Sequence, residues 1–493
     1  MPGCSYSLSA IATPEPTIST PSVSQLSPVT PDDWAFQALQ SLGDRCLPVS
    51  EEFEQGDRAI SRNDFAILID ACAAAIQEQM QTAQNRGDRL DAETLATWQR
   101  LQFEFAEELA VLQEQVQSLE TRTTVLEAQS FAPQVELEGE VIFAAILAAG
   151  TTKADDSGES VNDNVLAGNR FRLALETSFT GADELQIGLQ ARNVPELEAA
   201  TGTQMANLGF DGADDNDFEI DEIGYEFLIG QQTGVSIGIT GSGLGDFVPT
   251  VNPLFSGSGD GSISVFGREN PIRRQGEGMG IGVSHDFSDA VNLSLGYVAS
   301  EATDRSQGLF YGPYGAIAQL TVLPSETAGL SLTYVRSYNG LNTGTGSTLA
   351  NDPFNEQSAA ITANAIGAEA SFQLSPSVNL GGRFGWMQAT AEDLSDQPVA
   401  ESITWAALLS VTDLWQEGDL AGFIIGQPPK LIENDLGEDF EDTATSLHWE
   451  AFYRYPLTDD LAITPGVLVI TNPDHDRENE AIYVGVVRAT FTF

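Results

Sequence analysis

The residues best able to do chemistry in this 493-residue chain sit in one stretch, Gly257-Ser-Gly-Asp-Gly-Ser-Ile-Ser-Val-Phe-Gly-Arg-Glu-Asn-Pro-Ile-Arg-Arg274. There Arg268, Arg273 and Arg274 cluster beside Asp260 and Glu269. The chain has 21 basic residues against 72 acidic ones, so three arginines within seven positions concentrate a scarce charge. Fixed charges of both signs on one loop filter ions and polar solutes rather than make or break bonds. Such a loop either folds into a pore and sets its width and charge, or stays outside as a solvated cluster, and the sequence leaves both readings open. Bond-making chemistry finds little footing. His285, His448 and His475 lie on different segments, without metal-ligand spacing or a nucleophile motif, so no catalytic residue, metal site or cofactor is expected. Asp474-His475-Asp476 reads as a solvated loop before it reads as a cation site. Gly238-Ile-Thr-Gly-Ser-Gly243 follows a strand and opens no helix, which argues against a phosphate cradle.

The elements that must position such a loop are strands. In the final segment, Ile482, Val484, Val486 and Arg488 fall on one face and Tyr483, Gly485, Val487, Ala489, Phe491 and Phe493 on the other, because side chains alternate along a strand. One face suits lipid and the other a lumen, and the aromatic carboxyl terminus is typical of outer-membrane barrels. About 16 segments of this kind run from Val135 to Phe493, separated by turns rich in Gly, Asp, Asn, Ser and Pro. Tight turns such as Phe287-Ser-Asp-Ala290 and Leu374-Ser-Pro-Ser377 alternate with long connections, the longest of which ends at Arg274. No window approaches the roughly 18 apolar residues of a membrane helix. A mean hydropathy of -0.11 with 46 glycines suits a barrel with one polar face. The expected fold is therefore mainly β: a transmembrane antiparallel β-barrel of about 16 strands over residues 133–493. The acid excess excludes nucleic acid as a partner and would make an aqueous channel favour cations.

Upstream, residues 1–30 read as a flexible leader. Ala10-Ile-Ala12 has the small-x-small form of a signal-peptidase site, so the chain is expected to begin inside a signal peptide. Residues 31–90 read as a small helical domain. Trp34, Ala35, Ala38, Leu39 and Leu42 fall at helical spacing, and a serine-capped helix from Ser61 carries Phe65, Leu68, Ile69 and Cys72. An oxidising compartment would permit a Cys46–Cys72 disulfide. In residues 91–132, Trp98, Gln102, Phe105, Leu109, Leu112, Val116, Leu119, Thr123 and Leu126 alternate spacings of four and three, which predicts a coiled coil, with packing on the small domain as the alternative. Pro133 ends that helix.

The small domain resembles an S-layer homology domain, on Asp32-Asp-Trp-Ala35 and Ser61-Arg-Asn-Asp-Phe65. The resemblance implies binding to peptidoglycan-linked wall polymer, with Arg62 at the ligand-contacting position and Trp34 as packing or stacking partner. The family's Gly-Tyr-Pro-Asp-Gly-Thr loop is replaced by Ser50-Glu-Glu-Phe-Glu-Gln-Gly-Asp57. Val265-Phe-Gly-Arg-Glu-Asn-Pro-Ile-Arg273, Tyr314-Gly-Ala-Ile-Ala-Gln-Leu320, Leu332-Thr-Tyr-Val-Arg-Ser-Tyr338, Gly426-Gln-Pro-Pro-Lys430 and Ile463-Thr-Pro-Gly-Val-Leu-Val-Ile-Thr-Asn-Pro473 resemble the cyanobacterial outer-membrane porins. These join an S-layer homology domain to a carbohydrate-selective-porin-like barrel, and many are called iron uptake porins. The resemblance implies a homotrimeric channel in outer-membrane lipid for small hydrophilic solutes and inorganic ions, anchored to the wall by a periplasmic amino-terminal domain. Asp260, Arg268, Glu269, Arg273 and Arg274 are the candidate pore constriction. The rival reading is a structural tether between outer membrane and peptidoglycan.

Overall fold

Alternation of apolar with small or polar residues yields sixteen barrel strands in the computed structural model, which describes residues 28–42, 59–62, 64–69, 72, 92–106, 108–110, 135–155 and 157–493. The barrel opens with β1 (Val135–Ala149), β2 (Val165–Thr177), β3 (Asp183–Val194) and β4 (Glu219–Ile229). It continues through β5 (Thr233–Gly243), β6 (Glu277–Ser288), β7 (Val291–Ala299) and β8 (Tyr314–Ser325). Next come β9 (Ala328–Tyr338), β10 (Ile361–Ser375), β11 (Val378–Ala391) and β12 (Val399–Thr412). The last four are β13 (Leu420–Asn434), β14 (Leu447–Pro456), β15 (Leu461–Thr471) and β16 (Ile482–Thr492). Each strand pairs antiparallel with its neighbour in sequence, and Gly212–Ala213 adds a short ladder against the end of β3.

The sheet has no open edge, because β16 returns to β1 in a ten-pair register from Glu140↔Thr492 to Ala149↔Tyr483. Gly139 and Phe493 extend this seam with two backbone hydrogen bonds, N–H to carbonyl in both directions, of 2.8 and 3.0 Å. Unpaired backbone groups would be costly in a bilayer, so closure is what lets strands cross it. Along β16, Ile482, Val484, Val486, Arg488 and Thr490 are buried inside, while Tyr483, Val487 and Phe491 are exposed outside. The faces are those the alternation predicts. Connections alternate as well: tight turns such as residues 289–290 and 376–377 gather at one end with both barrel termini, and long loops such as 244–276 gather at the other.

The chain divides into two compact units, Met1–Phe131 and Ala132–Phe493. In the first, α1 (Trp34–Leu42), helical residues 64–69 and α2 (Ala92–Glu104) enclose one core of Val29, Phe36, Leu39, Phe65, Ile69, Trp98, Leu101 and Phe105. Trp98 and Phe105, two positions of the predicted heptad seam, face this core, while Gln102 between them is exposed. The described start of that helix thus packs on its own domain, and seam positions Leu112, Val116, Leu119, Thr123 and Leu126 lie outside the described residues. Cys72 is disulfide-bonded. Its predicted partner Cys46 lies outside the described residues, as does Cys4.

The closing seam offers a test. Phe493 covers Gly139, where an added Cβ would come within 2.2 Å of its ring, whereas Gly485 on β16 has nothing within 4 Å. Gly139→Val should lower barrel stability by about 1–3 kcal/mol through overpacking, seen as a lower temperature for loss of heat-modified gel mobility. Gly485→Val serves as the neutral control. Equal midpoints for the two variants would refute the role given to Phe493.

Candidate channel constriction

The 244–276 loop turns into the barrel. Short helical turns at Leu244–Phe247, Pro253–Ser256, Val265–Arg268 and Pro271–Arg274 shape it. Ser264 caps the third turn by accepting from the Gly267 N–H at 2.9 Å, and proline opens the second and fourth, where no backbone donor is needed. Its main polar tethers reach inward positions of strands. Arg488 donates to the carbonyls of Ser258 and Gly261 at 2.8 Å each, and Thr490 donates to that of Gly259 at 2.7 Å. Arg170, ion-paired with Glu140, donates to Ser258 Oγ at 2.8 Å. The Glu450 carboxylate accepts from Ser262 Oγ, the Ile263 N–H and Ser264 Oγ, and the guanidinium of Arg383 donates to the carbonyls of Phe266 and Gly267. Farther along, Arg273 donates to Gln319 Oε1 at 2.6 Å and pairs with Glu369 at 3.3 Å.

Strand glycines mark where loop side chains meet the wall. A Cβ on Gly367 or Gly385 would lie 2.3 or 2.8 Å from Ile272, and one on Gly282 or Gly296 would lie 2.3 or 2.9 Å from Phe247. Glycine in a strand commonly signals such close approach.

A second loop, residues 195–218, joins the first through Gly209 N–H to Ile263 carbonyl (2.8 Å) and Val265 N–H to Asn207 carbonyl (2.9 Å). Met205, Leu208, Phe210, Phe255, Ile263 and Phe266 then form an apolar core with Ile424, Leu468, Ile470, Ile482 and Val484 of β13, β15 and β16. This side of the lumen is packed shut.

On β2–β4 some inward charged groups remain in contact with open space. Arg172, 40% exposed, donates to Gln190 Oε1 at 2.7 Å and sits 3.6 Å from Asp221, itself 34% exposed. Glu222 stands beside them. From the loop, Glu269 pairs with Arg274 at 2.8 Å, and Arg268 has Arg274, Glu269, Arg172 and Asp246 as its electrostatic neighbours. Loop and wall therefore form one ring of charges of both signs.

The candidate residues divide within this arrangement. Arg268, Glu269 and Arg274 belong to the charged ring, and Arg268 also donates to the carbonyl of Ser256 at 2.8 Å. Asp260 is exposed at a bend near Arg488. Arg273 does not face open space: it is 3% exposed and anchors the loop to β8 and β10. Arg172, Asp221, Glu222 and Asp246 were missed. The available signal was the presence of charged residues at lumen parity within strands, as with Arg170 and Arg172. In the amino-terminal unit, Arg62 is engaged within the chain, by an ion pair to Glu108 and by stacking 4.5 Å from the Phe105 ring centre. Trp34 packs against the core and lies under the Arg100 guanidinium at 3.9 Å.

At the long-loop end, His475 is pinned rather than solvated. Its Nδ1 accepts from the Ser446 N–H, and Nε2 faces the carbonyls of Pro428 and Pro429. Burial pushes its pKa down to about 3, which keeps it neutral. Asp474 accepts from the Thr348 N–H at 2.9 Å. No group of three or more His, Cys, Asp or Glu among the described residues could hold a metal ion.

A closed sixteen-stranded barrel narrowed by an inward loop is porin architecture, and comparison with known proteins agrees. The family described as "Carbohydrate-selective porin, OprB family" matches residues 92–493. The chain belongs to that family. An uncharacterized protein of Nostoc sp. is 33% identical over 506 residues, covering 96% of this chain and 85% of the relative. An uncharacterized Synechocystis protein is 32% identical over 510 residues, covering 96% and 91% respectively. The high-pH structure of Pseudomonas putida OprB has the same fold, with a TM-score of 0.51 at 12% identity over 76% of this chain and 96% of that one. The porin family and barrel fold make this an outer-membrane channel for passive diffusion of solutes.

The tether network predicts a loose loop on removal of its main acceptor. Glu450→Ala leaves Ser262, Ser264 and the Ile263 N–H without their carboxylate, a loss of about 3–5 kcal/mol by analogy with broken buried ion pairs. Single-channel recordings of this porin variant should show a larger mean conductance and faster current noise than wild type. Indistinguishable traces would rule out the loop as the constriction.

Proposed function

We propose that this porin passes small hydrophilic solutes and inorganic ions with a preference for cations, sorted by the charged ring of Arg172, Asp221, Glu222, Asp246, Arg268, Glu269 and Arg274. The observation that carries this reading is the partial exposure of Arg172 and Asp221 on β2 and β4, while the loop packs with apolar side chains along the inner wall from β7 to β16. Sign comes from the rest of the inner wall. At the short-turn end, Glu136 lies opposite Glu176, and Glu184 opposite Glu226, at lumen-facing positions. Like charges directly opposed across strands are destabilising, so their presence favours a role in attracting cations from the periplasmic mouth. Sugars fit the same description as small hydrophilic solutes, and the family description names them. Iron has support only from the resemblance to iron uptake porins.

The amino-terminal unit is read as a periplasmic anchor to peptidoglycan-linked polymer, and the heptad stretch as a trimerising helix. Arg62 is held by Glu108 and Phe105, so polymer contact at this position would have to use the edge of the guanidinium that these partners leave exposed. The Cys46–Cys72 bridge is supported by the bonded state of Cys72. A tether remains the second reading, favoured by the core that Phe36, Leu39, Phe65, Ile69, Trp98, Leu101 and Phe105 form within the amino-terminal unit.

The purified protein should open stepwise in a planar bilayer, and under a salt gradient its reversal potential should take the sign of cation preference. Asp221→Asn with Glu222→Gln should move that potential toward zero while leaving barrel formation intact. Deleting residues 256–275 should raise conductance without loosening envelope attachment, and deleting residues 32–76 should do the opposite. A folded barrel that never conducts would favour the tether.

A further inference from the structure

Outside the pore, one arginine sits where a charge is unwelcome. Along β9, Ser331, Thr333, Val335 and Ser337 are buried toward the lumen, so Leu330, Leu332, Tyr334, Arg336 and Tyr338 face outward. Arg336 lies two residues from the long-loop end of the strand, on the lipid-facing surface. Its side chain donates one hydrogen bond, Nη1 to Asn364 Oδ1 at 3.0 Å, and shares that acceptor with the Tyr334 hydroxyl at 2.8 Å. It forms no ion pair with any carboxylate among the described residues, in a chain with 72 acidic side chains. A guanidinium has five N–H donors, so most of these have no acceptor among the described residues. Arginine on the lipid face of a barrel is strongly disfavoured at the midplane and nearly tolerated near the interface, which fits its height here but leaves its charge unanswered.

The surroundings have the shape of a lipid seat. Register places Tyr297, Ala316, Arg336 and Asn364 in one outward row across β7–β10, and Leu295, Ala318, Tyr334 and Ile366 in the row below. Two alanines between larger side chains leave a groove along β8. The flanking strands are about 9–10 Å apart at the usual spacing, wide enough for one acyl chain. Leu320, 41% exposed, ends the groove toward the midplane. At its top Tyr314 stacks on Tyr297 and Tyr338, with ring centres 5.7 and 6.1 Å away. From the 300–313 loop, Phe310 and Tyr311 are 73% and 85% exposed, and the Tyr297 hydroxyl fastens this loop by donating to the Leu309 carbonyl. Tyrosine is enriched at headgroup level, with its ring in the apolar layer and its hydroxyl in the polar one.

We propose that this groove seats one anionic lipid of the outer leaflet, its acyl chain along Ala316 and Ala318 and its phosphate or sulfonate headgroup on Arg336 beneath the tyrosine rim. Charge complementarity selects the occupant, since a neutral lipid would leave the guanidinium unanswered.

The test is native mass spectrometry of the full-length protein in neutral detergent, titrated with phosphatidylglycerol or phosphatidylcholine. Wild type should retain one phosphatidylglycerol per barrel in preference to phosphatidylcholine. Arg336→Met should weaken that retention about tenfold, as expected for loss of one charge-assisted contact, and Arg336→Lys should restore part of it. Ala316→Phe, which fills the groove and keeps the charge, should weaken it as much, and single-channel conductance should be unchanged in all three. Wild-type lipid retention in folded Arg336→Met or Ala316→Phe would overturn the proposal. So would a change in the number of protomers per particle with lipid retention intact, because the face would then join copies of the chain.

Discussion

The hydrogen-bond requirement of the backbone inside a bilayer governs this molecule. Without water, every N–H and C=O of a membrane-crossing strand needs a partner in the protein, and only a closed sheet supplies one at its edges. The pairing of β1 with β16 meets that requirement between the first and last strands of the barrel, from Glu140↔Thr492 to Ala149↔Tyr483. Gly139 and Phe493 continue it beyond the strand end. An even number of up-and-down strands brings both barrel termini to the short-turn end, where this closing pair forms.

Closure creates an interior, and the interior must then be narrowed without leaving polar groups unsatisfied. The solution is asymmetric. Two loops lean against β13, β15 and β16 through an apolar core, while the backbone carbonyls they bring inside are answered by Arg383 and Arg488 and their N–H groups by Glu450. Scarce basic residues thus act largely as fasteners. Those in contact with open space, Arg172, Arg268 and Arg274, sit beside carboxylates, so the candidate constriction carries charges of both signs. The proposed cation preference belongs to the wider acidic wall, and Arg336 stands apart from both as an outward charge near the long-loop end of β9.

Much of the barrel was legible from local pattern. Period-two alternation is enforced by which face meets lipid, so the strands, their tight turns and the faces of β16 could be read directly. The 244–276 loop was legible as unusual through its length and its arginines. Its fate was not, since an inward fold depends on strand glycines such as Gly367 and Gly385 opposite Ile272, and on partners as distant as Glu450, 186 residues from Ser264. The heptad beginning at Trp98 shows the same limit. Spacing marks an apolar stripe but does not say which surface covers it, and in the described residues Trp98, Leu101 and Phe105 are covered by Phe36 and Phe65 of their own domain.

Local period and composition alone specify a mainly β chain of about 16 alternating strands with an acidic balance, because those properties need no distant partner. Tertiary structure decided which charges do what. Arg273 and Arg274 are neighbours in sequence, yet one is buried against Glu369 while the other borders the pore with Glu269. That difference is set by the loop's path between distant strands. No local pattern encodes such a path, because it is fixed by packing volume and hydrogen-bond partners that only the closed barrel brings together.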